Sequence, residues 1–435
     1  MTKNNPSGKM PETNLDKYFY DLPKEKIADY PLEDRASGKL LVADVNTGEI
    51  KHKVFSDISK IIPKDTILVL NSTKVIAARI FMKKPTGGKV ELLCVDPVSP
   101  SVDPQVTMLS RNTCQWKCLV GGKNLNPGMI LTLDESVYKS IKLSAEIIER
   151  VDNEALVKFT YENFVAKDVA KDKNMTFADV LDIIGNVPLP PYIKREAEEE
   201  DKERYQTVYA EADGSVAAPT AGLHFTPEVL LGIKKKGIQI LNVNLHVGPG
   251  TFKPIDGNDI SEHNMHVEQF SVSTENIKAF TSFFKNNPNL GLTATGTTSL
   301  RTLESMYWIG VKLLLSKGKP DVKDGFLTLS QFEPYEITES EDELPDCAKS
   351  FNALAAFADR DNLSEIHCKT QLFIVPGYDI KTVKTLITNY HMPKSTLILL
   401  VATFAGYDLW RQIYDSALEN EYRFLSYGDS SVLLR

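Results

Sequence analysis

Between about residues 40 and 160, short apolar runs alternate with turn residues. The predicted strands cover residues 40–44, 66–70, 89–95, 116–120 and 129–132. Gly-Gly and Asn-Pro-Gly sequences separate several of these runs, and such residues favour tight turns. Many short strands at close spacing predict a small antiparallel barrel or a sandwich.

From about residue 205 onward, the pattern changes to strands that alternate with helices. Thr226 and Pro227 have the residue types of a helix N-cap and a first helical position, and Gly237 is a typical helix stop. A strand over 238–247 carries His246 on its polar face. This alternation predicts an α/β domain. Its other predicted parts are strands over 290–294 and 372–375, helices from 299 to about 315 and from 376 to near 390, and a charged surface insertion over 318–346.

The composition of the 435 residues is typical of a soluble globular protein, with 42% hydrophobic and 25% charged residues. At roughly 150 residues per domain, we expect two or three domains. The net charge of −8 disfavours a general nucleic-acid or membrane binder, but it is compatible with a local basic groove. Five cysteines are too few for a disulfide framework, which favours a reduced, cytoplasmic setting. The longest apolar run, 397–405, is about half of a membrane span, and the polar first fifteen residues predict a disordered tail rather than a signal peptide.

Two segments have the residues of ligand-binding turns. Small residues with one histidine over 216–226 predict a close-packed loop that enters a helix and can hold an anion. The alternative is a structural turn that His224 caps. Segment 244–254 carries His246 on a strand that ends in Gly248-Pro249-Gly250, at the strand end where α/β sheets bind ligands. A solvated strand followed by an ordinary turn explains this segment about equally well.

A third segment, 294–305, places a strand end at Gly296 and the hydroxyls of Thr297–Ser299 at a helix start. Free N–H groups and hydroxyls there form a cradle for an oxyanion. Arg301 falls in the first turn of the predicted helix, where the dipole disfavours a cation. An anionic ligand or acid opposite Arg301 would explain it, and a salt bridge to Glu304 is the structural alternative. In the first case, Arg301→Ala weakens the binding of one substrate by roughly 1.5–3 kcal/mol and leaves folding nearly intact.

The remaining polar clusters do not fit a metal site. His263 and His266 with a nearby acid resemble half of one, but no third ligand is evident. Cys114 and Cys118 are better interpreted as buried thiols than as zinc ligands. In segment 386–406, Asn389, His391 and Lys394 cluster at a predicted helix-to-helix turn, with Ser395 as N-cap. From the residues alone, we predict an α/β enzyme with an anion-binding pocket that needs no metal.

Eleven collinear motifs resemble one family, the S-adenosylmethionine:tRNA ribosyltransferase-isomerases of queuosine biosynthesis. Together they cover almost the whole chain after the polar tail, which makes the resemblance far more specific than any single motif. The motifs lie at 20–42, 69–80, 87–93, 184–193, 204–210, 216–226, 245–252, 263–266, 295–305, 376–406 and 422–429.

The resemblance implies a reaction and an architecture. Members move the ribosyl part of S-adenosylmethionine onto 7-aminomethyl-7-deazaguanine at the tRNA wobble position, giving epoxyqueuosine, adenine and methionine. The implied fold is a barrel-like α/β main domain with an inserted, small, six-stranded antiparallel β-barrel. We therefore expect a tail over 1–15, a discontinuous α/β domain over 16–64 and 161–435, and the small barrel over 65–160. S-adenosylmethionine is expected as co-substrate without a prosthetic group, tRNA as partner, no membrane association, and a cytoplasmic monomer.

The resemblance also implies roles for residues, because the chemistry needs proton transfer, an anion site and tRNA contacts. Salt-sensitive tRNA binding is expected from local cations despite the acidic net charge. The candidate proton-transfer residues are His224, His246, His266 and His391. The candidate substrate-binding residues are Arg204, Tyr205, Thr220, Gly222, Gly248, Gly250, Thr251, Gly296, Thr297, Thr298, Ser299, Arg301 and Asn389. The candidate tRNA-binding residues are Lys74, Arg79, Lys194, Arg195 and Lys394.

The chain departs from the usual family pattern in several places. It has extra residues around 97–104 and 317–369, an altered block over 114–128, and Val267 and Gln269 where other residue types are more usual. These departures leave two alternatives open. One is a related S-adenosylmethionine-dependent transferase with another acceptor, and the other is a non-catalytic RNA-binding paralogue.

Overall fold

The computed structural model describes residues 14–134, 136–138, 141–163, 175–248, 255, 260, 263–319, 322–323 and 325–435. The strands are β1 (Lys39–Asp44), β2 (Ile50–Val54), β3 (Ile67–Asn71), β4 (Thr73–Val75), β5 (Arg79–Lys83), β6 (Lys89–Ser99), β7 (Thr113–Gly121), β8 (Ile130–Thr132), β9 (Ile141–Val151), β10 (Glu154–Asn163), β11 (Ala212–Ser215), β12 (Gln239–His246), β13 (Glu268–Ser273), β14 (Leu292–Thr295), β15 (Val322–Lys323), β16 (Phe326–Leu329), β17 (Glu365–Thr370), β18 (Val383–Asn389) and β19 (Ser430–Leu434). The helices are α1 (Ile58–Ile61), α2 (Pro104–Met108), α3 (Phe177–Ile184), α4 (Asp201–Arg204), α5 (Pro227–Lys235), α6 (Thr274–Asn286), α7 (Gly296–Leu315), α8 (Glu333–Ser340), α9 (Cys347–Arg360), α10 (Thr396–Ala405) and α11 (Tyr407–Glu419).

A large mixed sheet organises most of the chain. Its strand order is β15-β16-β17-β13-β12-β3-β14-β18-β19-β1-β2. The four central strands β12, β3, β14 and β18 run parallel to one another, so their carboxyl ends meet at one edge. β3 and β14 are buried along their whole length, as expected for strands covered on both faces.

The strands β10-β7-β6-β5-β8-β9 close into a separate antiparallel barrel. Buried and accessible residues alternate along β7, and Trp116 and Phe159 pack inside the barrel against Phe177 of α3. The large mixed sheet and this six-stranded barrel confirm the expected α/β class. The range 65–160 also contains β3, which pairs in the large sheet, so the barrel strands run from Arg79 to Asn163. The division into separate domains stays a prediction.

The prediction for segment 372–390 is wrong. The described residues 372–375 form no strand, and the stretch expected to be helical contains β18 instead. Its β-branched residues, among them Val383 and Ile387, suit a strand that is buried between β14 and β19. The preceding loop is held by the buried carboxylate of Glu304, which accepts hydrogen bonds from the backbone N–H groups of Lys381 and Thr382.

Helix α7 crosses the core, and almost all of its side chains are buried. It begins at Gly296, three residues earlier than predicted, so Arg301 lies beyond the first turn. The predicted surface insertion 318–346 contributes β15 and β16 to one end of the large sheet. Within the described part of the chain, no helix is both long and apolar enough to span a membrane.

Candidate functional site

The carboxyl ends of β14 and β18 meet the helical turn Thr220–His224 at one edge of the large sheet. They border a cavity of about 50 Å³, which we name the end cavity. Among the described residues, no Asp, Glu, Lys or Arg side chain lines it. Its polar lining residues include Tyr192, Thr220, Thr297, Thr298, Asn389, His391 and Ser426.

Helix α7 starts at the end cavity. Gly296 has a φ of 87°, which glycine adopts without strain, and Thr297 and Thr298 follow in the first turn. The N–H groups of a first helical turn have no partner within the helix, and the dipole favours an anion there. The buried Oγ atoms of Thr295 and Ser299 have no hydrogen-bond partner among the described residues. Neither residue lines the end cavity, so a carboxylate that entered it would meet the first-turn N–H groups and the hydroxyls of Thr297 and Thr298.

Two histidines beside the end cavity are kept neutral by burial. His391 lines the cavity with its Nε2 2.9 Å from Thr388 Oγ1, and burial lowers its pKa to about 3. The ring of His224 stacks on Phe55 at 5.0 Å, and burial is the main cause that lowers its pKa to about 4. Both rings are uncharged at neutral pH, so they act there as neutral hydrogen-bonding groups.

A second cavity, of about 330 Å³, lies where the small barrel meets the large sheet, and we name it the junction cavity. Val247 lines both cavities, so the two adjoin. The barrel contributes Asp96, Lys117 and Glu154 to its wall. The opposite wall includes His246, Gly248, His266 and Gln269. Acidic, basic and imidazole side chains from two parts of the fold line this cavity. The end cavity has no Asp, Glu, Lys or Arg among its described lining residues.

His246 is the last residue of β12, and its ring packs closely against the backbone of Gly214. A Cβ atom at Gly214 would lie 2.8 Å from His246 Nδ1 and 2.6 Å from the Cβ of Pro104, and the φ of 133° also favours glycine. Burial lowers the pKa of His246, while the backbone of Gly214 partly opposes this. The ring is therefore fixed in place and mainly neutral at neutral pH.

His266 contacts the buried carboxylate of Glu268. Its Nε2 lies 3.1 Å from Oε1 of Glu268, whose side chain is only 1% exposed. The other carboxylate oxygen of Glu268 contacts a terminal nitrogen of Arg301, which is itself buried. Burial lowers the pKa of Arg301 to about 9, so the guanidinium remains charged at neutral pH.

This contact corrects the sequence interpretation of Arg301. The expected partner Glu304 instead accepts hydrogen bonds from Thr382, Tyr378 and the backbone of Lys381. Arg301 faces Glu268, 33 positions earlier in the chain, and lies too far along α7 for the dipole to disfavour it. Sequence spacing favours partners three or four residues away and cannot reveal a partner on another element.

Comparisons with known proteins decide the family. A sequence model of the family "Queuosine biosynthesis protein" matches residues 15–433. A protein from Caldanaerobacter subterraneus, described as S-adenosylmethionine:tRNA ribosyltransferase-isomerase, is 36% identical over 96% of this chain and 98% of its own. Proteins of the same description from Natranaerobius thermophilus (35%, 96% of this chain, 99% of theirs) and Syntrophomonas wolfei (36%, 97% of each) also match.

This chain belongs to the S-adenosylmethionine:tRNA ribosyltransferase-isomerase family. A crystal structure of S-adenosylmethionine tRNA ribosyltransferase from Thermotoga maritima is 27% identical, over 96% of this chain and all of the other, with a TM-score of 0.43. The family model and the three sequence relatives confirm the resemblance at the level of the family.

The candidate substrate residues divide between the cavities and their surroundings. Thr220, Gly296, Thr297, Thr298 and Asn389 line the end cavity, and Gly248 lines the junction cavity. Gly250 and Thr251 lie outside the described residues.

Three other candidates support the fold around the cavities of this family member. A Cβ atom at Gly222 would come within 2.1 Å of the hydroxyl of Tyr209, so this glycine permits close packing. Arg204 donates to the backbone carbonyls of Leu32 and Glu33. Tyr205 is buried against Tyr427 at a ring distance of 5.8 Å. None of the three lines either cavity.

Most candidate tRNA-binding cations have partners within the chain. Arg195 forms two hydrogen bonds of 2.6 and 2.8 Å with the buried carboxylate of Asp201, and Arg79 pairs with Glu91 at 3.0 Å. Lys74 lies 3.5 Å from Asp213, and Lys394 lies 2.8 Å from Asp16. Lys194 donates to the backbone carbonyl of Pro191 and is otherwise exposed.

Sequence analysis missed residues that reach the cavities from distant segments. Tyr192 and Ser426 share a 2.6 Å hydrogen bond at the end cavity, although 234 positions separate them. Asp96, Lys117 and Glu154 lie outside the eleven motifs, and Glu268 is the acid near His266 that the sequence presented only as a possible metal ligand. Among the described residues, no group of three His, Cys, Asp or Glu side chains is placed to hold a metal ion.

Proposed function

We propose that this chain transfers and isomerises the ribosyl part of S-adenosylmethionine onto 7-aminomethyl-7-deazaguanine at the wobble position of tRNA. The product is epoxyqueuosine in tRNA, and adenine and methionine leave. The observation that carries this proposal is membership of the family over residues 15–433, at 35–36% identity to curated relatives over nearly their whole length.

We place the methionine end of S-adenosylmethionine in the end cavity. Its carboxylate can accept from the first-turn N–H groups of α7 and from the hydroxyls of Thr297 and Thr298. Among the described lining residues there is no Asp, Glu, Lys or Arg and His391 is neutral, so binding there relies on hydrogen bonds and on the helix dipole. The ribose then extends past Val247, which both cavities share, toward the junction cavity.

We place the proton transfers in the junction cavity. The positive sulfur makes the adjacent ribose carbon acidic, so a base must accept a proton from that carbon before the ring rearranges. His246 and His266 line this cavity, and a neutral imidazole can accept a proton. His224 and His391 are disfavoured as bases for this step because neither lines the junction cavity.

The tRNA base reaches the same cavity from the side of the barrel in this proposal. Asp96 and Glu154 offer carboxylates that can hold the aminomethyl group and accept the proton that its ammonium form must lose before the amine attacks the ribose. Lys117 offers a cation to a phosphate or a base oxygen. No prosthetic group enters this scheme. The monomeric state and the cytoplasmic location stay predictions.

The deciding experiment supplies S-adenosylmethionine and tRNA that carries 7-aminomethyl-7-deazaguanine, and detects epoxyqueuosine by mass spectrometry of the digested nucleosides. Adenine release is measured in parallel, and tRNA with guanine at the wobble position is the control. The proposal predicts both products only with the modified tRNA. Adenine release with no epoxyqueuosine would instead indicate a different acceptor, and neither product would indicate a non-catalytic protein.

A further inference from the structure

Glu268 joins a histidine of the junction cavity to helix α7 through one carboxylate. It is the first residue of β13, its side chain is 1% exposed, and its two oxygens face different partners. Oε1 lies 3.1 Å from Nε2 of His266, in the wall of the junction cavity. Oε2 contacts Arg301 on α7, whose first turn lines the end cavity.

The fold alone does not require this arrangement. Burying a carboxylate and a guanidinium removes both from water, and their attraction typically recovers little more than that loss. Apolar side chains of similar volume commonly stabilise a core as well or better. The charged pair does one thing that apolar side chains cannot: it presents an acceptor, fixed on a rigid strand, to a histidine at the cavity.

The contact with Glu268 also determines which ring nitrogen of His266 carries the hydrogen. An ionised carboxylate only accepts hydrogen bonds, so Nε2 of His266 carries the hydrogen that faces Glu268. In the neutral ring, Nδ1 then holds the lone pair that can accept a proton. The charged guanidinium of Arg301 contacts the second oxygen of Glu268 and restrains it, so the carboxylate cannot turn away.

We propose that Glu268 is a positioning residue for the reaction: Arg301 anchors one oxygen, and the other sets the orientation and tautomer of His266 in the junction cavity. This inference rests on the proposed function, because it assigns to His266 a proton transfer in that reaction. It adds a role for Glu268 and for Arg301 that acts through His266 rather than through contact with substrate.

A double-mutant cycle tests the coupling. Glu268→Gln, His266→Gln and the double variant are compared with the wild type in single-turnover rates of epoxyqueuosine formation. Glu268→Gln keeps the shape of the side chain, and we expect a loss of about 10- to 100-fold, the usual scale for a residue that orients a functional histidine. The double variant should be no slower than His266→Gln alone, because Glu268 acts through that ring. Rate losses that multiply, or a Glu268→Gln rate equal to wild type, would overturn the proposal.

A second variant separates positioning from stability. Replacing the pair together, as Glu268→Leu with Arg301→Met, fills the site with apolar groups and should hold the melting temperature near that of the wild type. The proposal predicts that turnover stays low in this stable variant. Turnover that returns to the wild-type rate would assign the pair to the fold and overturn the proposal.

A readout without turnover keeps this inference distinct from the proposed function. ¹⁵N NMR of the His266 ring in the free protein should show a hydrogen fixed on Nε2 in the wild type and a mixture of tautomers in the Leu/Met variant. If the wild type forms no epoxyqueuosine, the proposed function fails while this measurement still reports on Glu268. Identical tautomer populations in the two proteins would contradict the positioning role.

Discussion

The end cavity and the junction cavity adjoin at Val247, but their walls differ in chemistry. The end cavity is enclosed by turns, hydroxyls and a helix start, and the two histidines beside it are buried and neutral. The junction cavity has carboxylates, a lysine and two histidines on its wall. One site is therefore suited to hold a ligand by hydrogen bonds, and the other is suited to move protons.

The difference follows from how each cavity is built. Parallel strand ends and the start of α7 form the end cavity, so helix-start N–H groups and uncharged polar side chains surround it. The junction cavity forms between the closed barrel and the large mixed sheet, where ionisable side chains of the barrel face those of β12 and of the segment before β13. Binding and reaction can be divided between neighbouring sites because each uses a different part of the fold.

The largest effect that we expect tests the contact between Arg301 and Glu268. Arg301→Ala leaves the buried carboxylate of Glu268 without its cation, which should lower the free energy of unfolding by about 3–5 kcal/mol. This replaces the sequence-based expectation of nearly intact folding. Denaturant unfolding measures it, with Arg411→Ala as control, because Arg411 and its partner Asp415 are substantially exposed. A loss below about 1 kcal/mol, equal to the control, would show that Arg301 does not anchor a buried charge.

A smaller effect concerns the pH dependence of stability that comes from the two buried histidines beside the end cavity. His224 and His391 have pKa values lowered to about 4 and 3, whereas an unfolded histidine titrates near 6.5. Between about pH 6.5 and 5, the unfolded chain therefore binds more protons, and stability falls as the pH is lowered. Each histidine contributes up to about 1.4 kcal/mol per pH unit.

The check is denaturant unfolding at several pH values between 7 and 5. His224→Gln should reduce the slope of unfolding free energy against pH by up to about 1.4 kcal/mol per pH unit, which corresponds to one bound proton. The control is His367→Gln: His367 is partly exposed, and its pKa is raised mainly by the hydrogen bond with Glu365, so its replacement should not reduce that slope. An unchanged slope in His224→Gln would mean that this ring titrates freely in the folded state.

The smallest effect concerns the cations around the cavities. Lys194→Gln should reduce the dependence of log tRNA affinity on log salt by about 0.7–0.9, the value for one phosphate contact. Arg195→Gln should leave that slope unchanged and lower the melting temperature, because it unpairs the buried Asp201. Filter binding at several salt concentrations makes the comparison. If Arg195→Gln lowered the salt dependence of tRNA affinity and Lys194→Gln did not, then Arg195 rather than Lys194 would be the residue that contacts a phosphate.

The parts of the fold with local sequence signals could be predicted. Thr226 and Ser395 cap helices as expected from residue type, and the strand with His246 on its end is present as β12. Segment 376–390 was mistaken because its strand is buried on both faces, where alternation disappears. The start of α7 was placed late because threonines and glycine are weak helix formers outside their tertiary context.

The lining of the end cavity could be predicted in part from the sequence, and that of the junction cavity less so. A turn of glycine and threonine marks Thr297 and Thr298 along the chain, and both line the end cavity, while their role in binding stays a prediction. The barrel residues Asp96 and Glu154 reach the junction cavity only through tertiary packing. The pairing of Arg301 with Glu268 likewise depends on two elements that no sequence spacing relates.

The central claim is that the end cavity binds S-adenosylmethionine and the junction cavity carries out the reaction. It is tested most directly by one comparison of Thr298→Val with His266→Gln. For each variant, the dissociation constant of S-adenosylmethionine and the single-turnover rate are measured. Thr298→Val removes a hydroxyl from the end cavity, so we predict binding weaker by about threefold to tenfold and a rate nearly unchanged once the site is saturated. His266→Gln should leave binding nearly unchanged and slow the reaction by about 10²- to 10⁴-fold. Weaker binding from the His266 change, together with a slowed reaction and normal binding from the Thr298 change, would contradict the account.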